Sequence, residues 1–164
     1  MPITEFLEQN SRLYAEETAL VEINPQELEN RHLTWKEYSL IEPSRNDPFR
    51  TEITWREFDR KANRLANFLL TRHITKGKRV AILLMNCLEW LPIYFGILKS
   101  GAMAVPLNFR YTAEEIRYCL ELADADMLIF GPSFTGRVES IFGRIPKVKS
   151  LLYVGEDCPS FAES

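Results

Sequence analysis

The chain has 164 residues, 46% hydrophobic and 26% charged, the balance of a globular domain large enough to bury a core. Its net charge is -3, and its 20 Lys and Arg are interspersed among 23 Asp and Glu, which gives no case for a nucleic-acid partner. Cys87, Cys119 and Cys158 are widely spaced, with no CxxC and no Cys/His cluster, so they support neither a disulfide framework nor a zinc site and suit a reducing compartment.

The N-terminal stretch MPITEFLEQNSRLYAEE is acidic and lacks the charged-then-apolar pattern of a signal peptide. Thr4 can cap a first helix, with Phe6, Leu7, Leu13 and Tyr14 as apolar positions and a stop near Glu17. Residues Thr18–Ile23 alternate and read as a strand at a sheet edge. Residues 24–50 carry Pro25, Pro43 and Pro48 and many charges, the composition of a long, irregular, solvated insertion. A short strand is expected within it at 33–38 (LTWKEY). His32 reads as solvated, and Trp35 and Tyr38 are the side chains that could make the insertion a docking surface.

Thr54 and Glu57 stand as N-cap and N3, a capping box, with Ile53 and Phe58 placed as a hydrophobic staple. The helix that follows puts Trp55, Phe58, Ala62, Leu65, Ala66 and Leu69 on one face and charges on the other, so it lies against a core. His73 sits near its end, where a structural role suits the helix dipole.

The stretch 79–108 is the most apolar of the chain. Its first run, 80–85, does not alternate, as expected of a strand buried on both faces in a parallel sheet. Asn86 and Glu89 are spaced as N-cap and N3 of a helix toward Lys99, which Gly101 would end. A second run, 102–107, completes a βαβ unit with a right-handed crossover. Glu89, Pro92 and Lys99 interrupt the stretch, so it reads as core and no transmembrane segment is expected.

Thr112 and Glu115 form a second capping box, and Ile116, Cys119, Leu120 and Ala123 give its helix a buried face. A strand at Met127–Phe130, closed by Gly131 and Pro132, a helix near 134–142, a strand at 150–154 and a polar tail, 155–164, follow. This alternation predicts a single α/β domain over 1–164, an open and mainly parallel sheet with helices on both faces.

Catalytic motifs are scarce. The seven glycines are isolated, with no GxGxxG, no GxxxxGK[ST] and no GxSxG. The acidic pairs Glu114/Glu115 and Asp124/Asp126 read as a helix start and a turn. Residues and spacing alone reach an α/β domain and no further.

Three segments in order, ITWREFDRKANRLANFL, RVAILLMNCLEW and YFGILKSGAMAVPLNFRYTAEEIRYCLELADADMLIF, resemble the N-terminal part of the AMP-forming acyl-CoA synthetases of the adenylate-forming superfamily. GILKSGAMAVPLN is the most specific part of the resemblance. Lys78 departs from it, standing where the family usually has an acid, as do Pro92 inside a helix and the long insertion.

The resemblance implies a reaction in which a carboxylic acid and ATP, with Mg2+, give an acyl-adenylate and pyrophosphate, after which CoA displaces AMP. The family's phosphate loop, adenine segment, ribose-binding aspartate and C-terminal lysine are not found in these residues. By this resemblance the chain is the first α/β subdomain of a longer cytoplasmic enzyme, inactive and without bound cofactor on its own, and self-associating through surface the rest would cover. The resemblance also implies that the loop Asn108, Phe109 and Arg110, with Arg137, contacts CoA. That loop is polar and precedes a capped helix, as an anion site could. An adenylation domain that loads a carrier protein, and a free-standing α/β binding module, remain alternatives.

Overall fold

The computed structural model of the protein describes residues 2–23 and 50–164. The insertion expected at 24–50, with its strand at 33–38 and the side chains of His32, Trp35 and Tyr38, lies outside the described residues except for Arg50. The chain forms two compact units, Met1–Asp59 and Arg60–Ser164. Among the described residues, no helix is long and apolar enough to cross a membrane.

In the first unit, helix α1 (Ile3–Leu13) starts at Pro2, whose N-cap position carries no side-chain hydrogen bond, so Thr4 lies inside the helix and caps nothing. Proline suits a helix start because its missing N–H would be unpaired there anyway. Strand β1 (Thr18–Ile23) has the expected bounds. It pairs antiparallel with β2 (Arg50–Thr54) in a two-stranded sheet, where it is an edge strand as expected. Helix α2 (Trp55–Thr71) begins with the expected box. The Glu57 amide donates to Thr54 Oγ1 at 3.2 Å, and the Thr54 amide donates to Glu57 Oε2 at 2.9 Å. The Trp55 and Arg56 amides donate at 3.1 Å to the carbonyls of Glu17 and Ala15, so further first-turn donors are satisfied.

The second unit is built on a parallel sheet of order β4-β3-β5-β6, where β3 is Arg79–Leu83, β4 Met103–Pro106, β5 Met127–Phe130 and β6 Ser150–Tyr153. Every residue of β5, and Val80 to Leu83 of β3, is buried. Successive side chains point to opposite faces, so each strand serves two cores. Val80, Ile82, Met127 and Ile129 pack with Leu69 of α2 and with Ile93 and Ile97 of α3 (Trp90–Lys99). Ala81, Leu83, Leu128 and Phe130 pack with Ile116 and Leu120 of α4 (Ala113–Leu122) and Val138 and Ile141 of α5 (Thr135–Ile141). The expected fold, an open parallel sheet with helices on both faces, is what forms. α5 is shorter than expected because short 3-10 turns, Pro132–Phe134 and Phe142–Arg144, flank it. α2 and α3 approach closely at Gly96, where a Cβ would lie 2.9 Å from the Ala62 carbonyl oxygen and 2.9 Å from Leu65 Cβ.

Helix α3 starts a turn later than Asn86 and Glu89 suggest. Glu89 is its N-cap, without a side-chain cap bond, and its carboxylate pairs with Lys61 of α2 at 2.6 Å. Pro92 supplies the reason. A start at Cys87 would place the proline inside the helix, against the Leu88 carbonyl, whereas a start at Trp90 puts it in the first turn.

Helix exits toward the sheet share one device. His73, Gly101 and Asp124 have φ of 58°, 84° and 54°, the left-handed conformation that reverses the chain. After α2 the His73 amide donates to the Leu70 carbonyl at 3.0 Å and the Ile74 amide to Leu69 at 2.9 Å, a Schellman motif. His73 is exposed, so its structural role is carried by its backbone. At the start of β3, Lys78 donates to Asp126 Oδ1 at 2.9 Å and the Arg79 amide to Oδ2 at 3.0 Å. Burial pushes the Asp126 carboxyl up, but these bonds, with the charges of Lys78 and Lys147, hold it below the usual carboxylate range. The tail folds back. Glu163 bridges to β6, and Phe161 stacks on Phe130 with centroids 6.0 Å apart.

The left-handed exits set a stability prediction. A non-glycine residue there costs about 1 kcal/mol, so His73→Gly should stabilise by about that amount and Gly101→Ala should destabilise by about as much. Urea unfolding should show the two shifts in midpoint with opposite signs and an unchanged slope.

Candidate functional site

A parallel sheet gathers all its strand carboxyl ends on one side. From β3 the chain crosses to β4 on one flank, then returns to β5 on the other, so a topological switch point lies between β3 and β5. In open α/β sheets, ligands bind in the crevice at that point. A cleft of about 370 Å³ opens there, with Leu84 and Met85 after β3, Gly131 after β5, and Val154 and Gly155 after β6 among its lining. Phe134 adds an aromatic wall, and Cys87, Glu89 and Ser133 are its polar side chains. Gly131 sits close against the cleft wall, where a Cβ would stand 3.0 Å from Leu84 Cδ2 and push that side chain aside.

The four residues expected at the site come together beside this cleft. After β4, Asn108 Oδ1 accepts from the Arg110 amide at 2.9 Å, and its carbonyl accepts from Tyr111 at 3.1 Å, which closes an Asx turn. From α5, Arg137 Nη1 donates to the carbonyls of Phe109 at 2.8 Å and Tyr111 at 2.9 Å. The same guanidinium lies over the Phe134 ring, 5.3 Å from its centroid, so Phe134 joins the loop to the cleft. Arg110 lies over the Phe109 ring at 5.4 Å. Asn108, Phe109 and Arg110 are exposed and Arg137 is half-buried. Neither arginine meets a carboxylate among the described residues, so both keep their charge unneutralised.

The start of α4 carries the expected capping box, which sets a carboxylate at the helix start. The Thr112 amide donates to Glu115 Oε2 at 2.8 Å, and the Glu115 amide donates to Thr112 Oγ1 at 3.4 Å. The Thr112 amide and hydroxyl hold the Glu115 carboxyl below its usual range, so an ionised acid already occupies the helix start.

The loop and its arginines can bind and orient a ligand. Among the described residues, no group of three or more His, Cys, Asp and Glu could hold a metal ion. The cleft itself escaped the sequence, although single glycines directly after β5 and near the end of β6 were a signal for it. Close packing at strand ends needs glycine without any phosphate-loop motif.

A protein-family model described as "AMP-binding enzyme" matches residues 7–163. A medium/long-chain-fatty-acid–CoA/3-oxocholest-4-en-26-oate–CoA ligase of Mycobacterium marinum is 32% identical over 103 residues, 63% of this chain and 19% of that protein. The long-chain-fatty-acid–CoA ligase FadD13 of Mycobacterium tuberculosis is 33% identical over 101 residues, 62% of this chain and 19% of that protein. The crystal structure of the anthranilate CoA ligase AuaEII, in complex with anthranoyl-AMP, aligns with a TM-score of 0.74 at 26% identity, over 94% of this chain and 25% of that one. The chain thus spans about a fifth of the length of the curated relatives it matches.

Arg137 is the tie between α5 and the loop. Arg137→Ala removes two charge-assisted bonds to carbonyls and should lower the free energy of local opening of the loop by about 1.5–3 kcal/mol, with little change in global stability. Hydrogen exchange should speed up at residues 108–111 and leave β3 and β5 unchanged.

Proposed function

Since the chain belongs to the AMP-binding enzyme family, we propose that it is the N-terminal part of an AMP-forming acid–CoA ligase acting on a small-molecule carboxylic acid. A carboxylate is a poor electrophile. In the proposed reaction its oxygen attacks the α-phosphorus of ATP, pyrophosphate leaves, and the acyl-adenylate forms with AMP as leaving group. The thiol of CoA then attacks the acyl carbon, AMP departs with the electron pair, and a thioester results.

This stretch contributes binding. Arg110 and Arg137, beside the exposed turn at Asn108 and Phe109, present two unneutralised charges to the phosphate groups of CoA, as arginine does where phosphate is recognised. The observation that carries the assignment is the Arg137 clamp on the loop carbonyls, which fixes Arg110's loop next to the switch-point cleft. Pre-fixing the loop lowers the ordering cost of binding. Magnesium accompanies ATP in this proposal. The described residues offer it no ligand cluster, so no step is assigned to it here. The reading also puts the reaction in the cytoplasm and leaves adenylation chemistry to residues outside this chain.

Arg110→Glu in the full-length ligase should raise KM for CoA about tenfold, the effect of losing about 1.4 kcal/mol of contact. Acid-dependent ATP–pyrophosphate exchange, which needs no CoA, should stay unchanged. An unaltered CoA dependence removes the assignment of the loop.

A further inference from the structure

The opposite end of the sheet holds a second pocket, of about 280 Å³, among the amino ends of β3, β5 and β6. Its lining includes Arg72, His73, Lys78, Lys149 and Ser150, with Asp126 as its one acid. This is a different population from the carboxyl-end cleft, whose walls are mainly apolar.

Pairing within the pocket is lopsided. Asp126 spends Oδ1 on Lys78 at 2.9 Å and Oδ2 on the Arg79 amide at 3.0 Å. The adjacent Glu163 spends both oxygens on Arg72, at 3.0 and 2.6 Å, and one of them also accepts from Ser150 Oγ. Every carboxylate oxygen is therefore already engaged by a donor.

Donors are left over. An ammonium carries three N–H groups and a guanidinium five. Lys78 uses one on Asp126, Lys149 uses one on the Pro146 carbonyl at 2.9 Å, and Arg72 keeps its Nε–H. The imidazole of His73 makes no hydrogen bond among the described residues and stands at the exposed exit of α2. Three permanent cations against two carboxylates leave a net positive pocket even with His73 neutral.

A cavity with engaged acceptors, spare donors and surplus positive charge suits a ligand that carries many acceptors and negative charge. We propose that this amino-end pocket is a binding site for a phosphate-bearing small anion, with Arg72, His73, Lys78 and Lys149 as its donors. The spare donors converge from three places in the chain: the α2 exit, the turn before β3 and the start of β6. Lys78, the departure from the acid usual in the resembled family, supplies one of these charges. The site is separate from the loop at Asn108, Phe109 and Arg110, and it stands or falls independently of the ligase assignment.

Inorganic phosphate is the probe, titrated into the isotopically labelled protein and followed through its backbone amide spectrum. Saturable shifts at residues 72–78 and 149–150 are expected. Lys149→Glu, at an exposed position, should weaken phosphate about tenfold with an otherwise unchanged spectrum. His73→Gly should also weaken it, by loss of the imidazole, in a protein that unfolds at higher urea. Shifts confined to residues 108–111, shifts that never saturate, or an affinity in both variants unchanged from that of the original protein would overturn the proposal.

Discussion

The burial of β3 and β5 on both faces is the constraint from which the rest of the second unit follows. A strand covered on one side alternates in sequence. These two do not, so each demands a helical layer above and another below. α2 and α3 meet one demand, α4 and α5 the other, and strands between such helices run parallel. Parallel strands place every carboxyl end on the same side, and the crossing back past β3 opens a cleft there. The site is thus a by-product of the way the core is covered.

The two ends of the sheet are finished in opposite ways. At the amino ends the connections are tied by ions: Lys78 to Asp126, and Arg79 and Lys147 to Asp124 at 3.0 and 2.7 Å. The last two pairs are exposed and add little stability each. Asp126 is different, because it is buried and both of its oxygens are used. At the carboxyl ends, glycine and apolar side chains leave space, and the nearby cations are held by carbonyls and aromatic rings. Carboxylates tie the amino-end turns together while the pocket among them keeps surplus positive charge, and the loop arginines near the carboxyl ends meet no carboxylate among the described residues.

Much of the fold was legible because it depends on local rules. Thr54/Glu57 and Thr112/Glu115 were readable as boxes because both partners lie within one turn. β1 and β5 were readable to the residue from their pattern. Thr4 and Asn86 misled because a capping residue type is common, and whether it caps depends on a nearby proline, Pro2 in one case and Pro92 in the other. The pairing of β1 with β2 spans the insertion and has no local signature.

The site was less legible than the fold. Asn108, Phe109, Arg110 and Arg137 were reached through resemblance, and no spacing rule connects an arginine on α5 to carbonyls 26 and 28 residues earlier. The amino-end pocket and the cleft are assembled by strand order, which the sequence does not spell. Hydrogen exchange of the full-length protein with and without CoA tests the central claim most directly. The account predicts CoA-dependent slowing at residues 108–111 that ATP alone does not produce. Slowing elsewhere, with this loop exchanging at the same rate in both states, would contradict it.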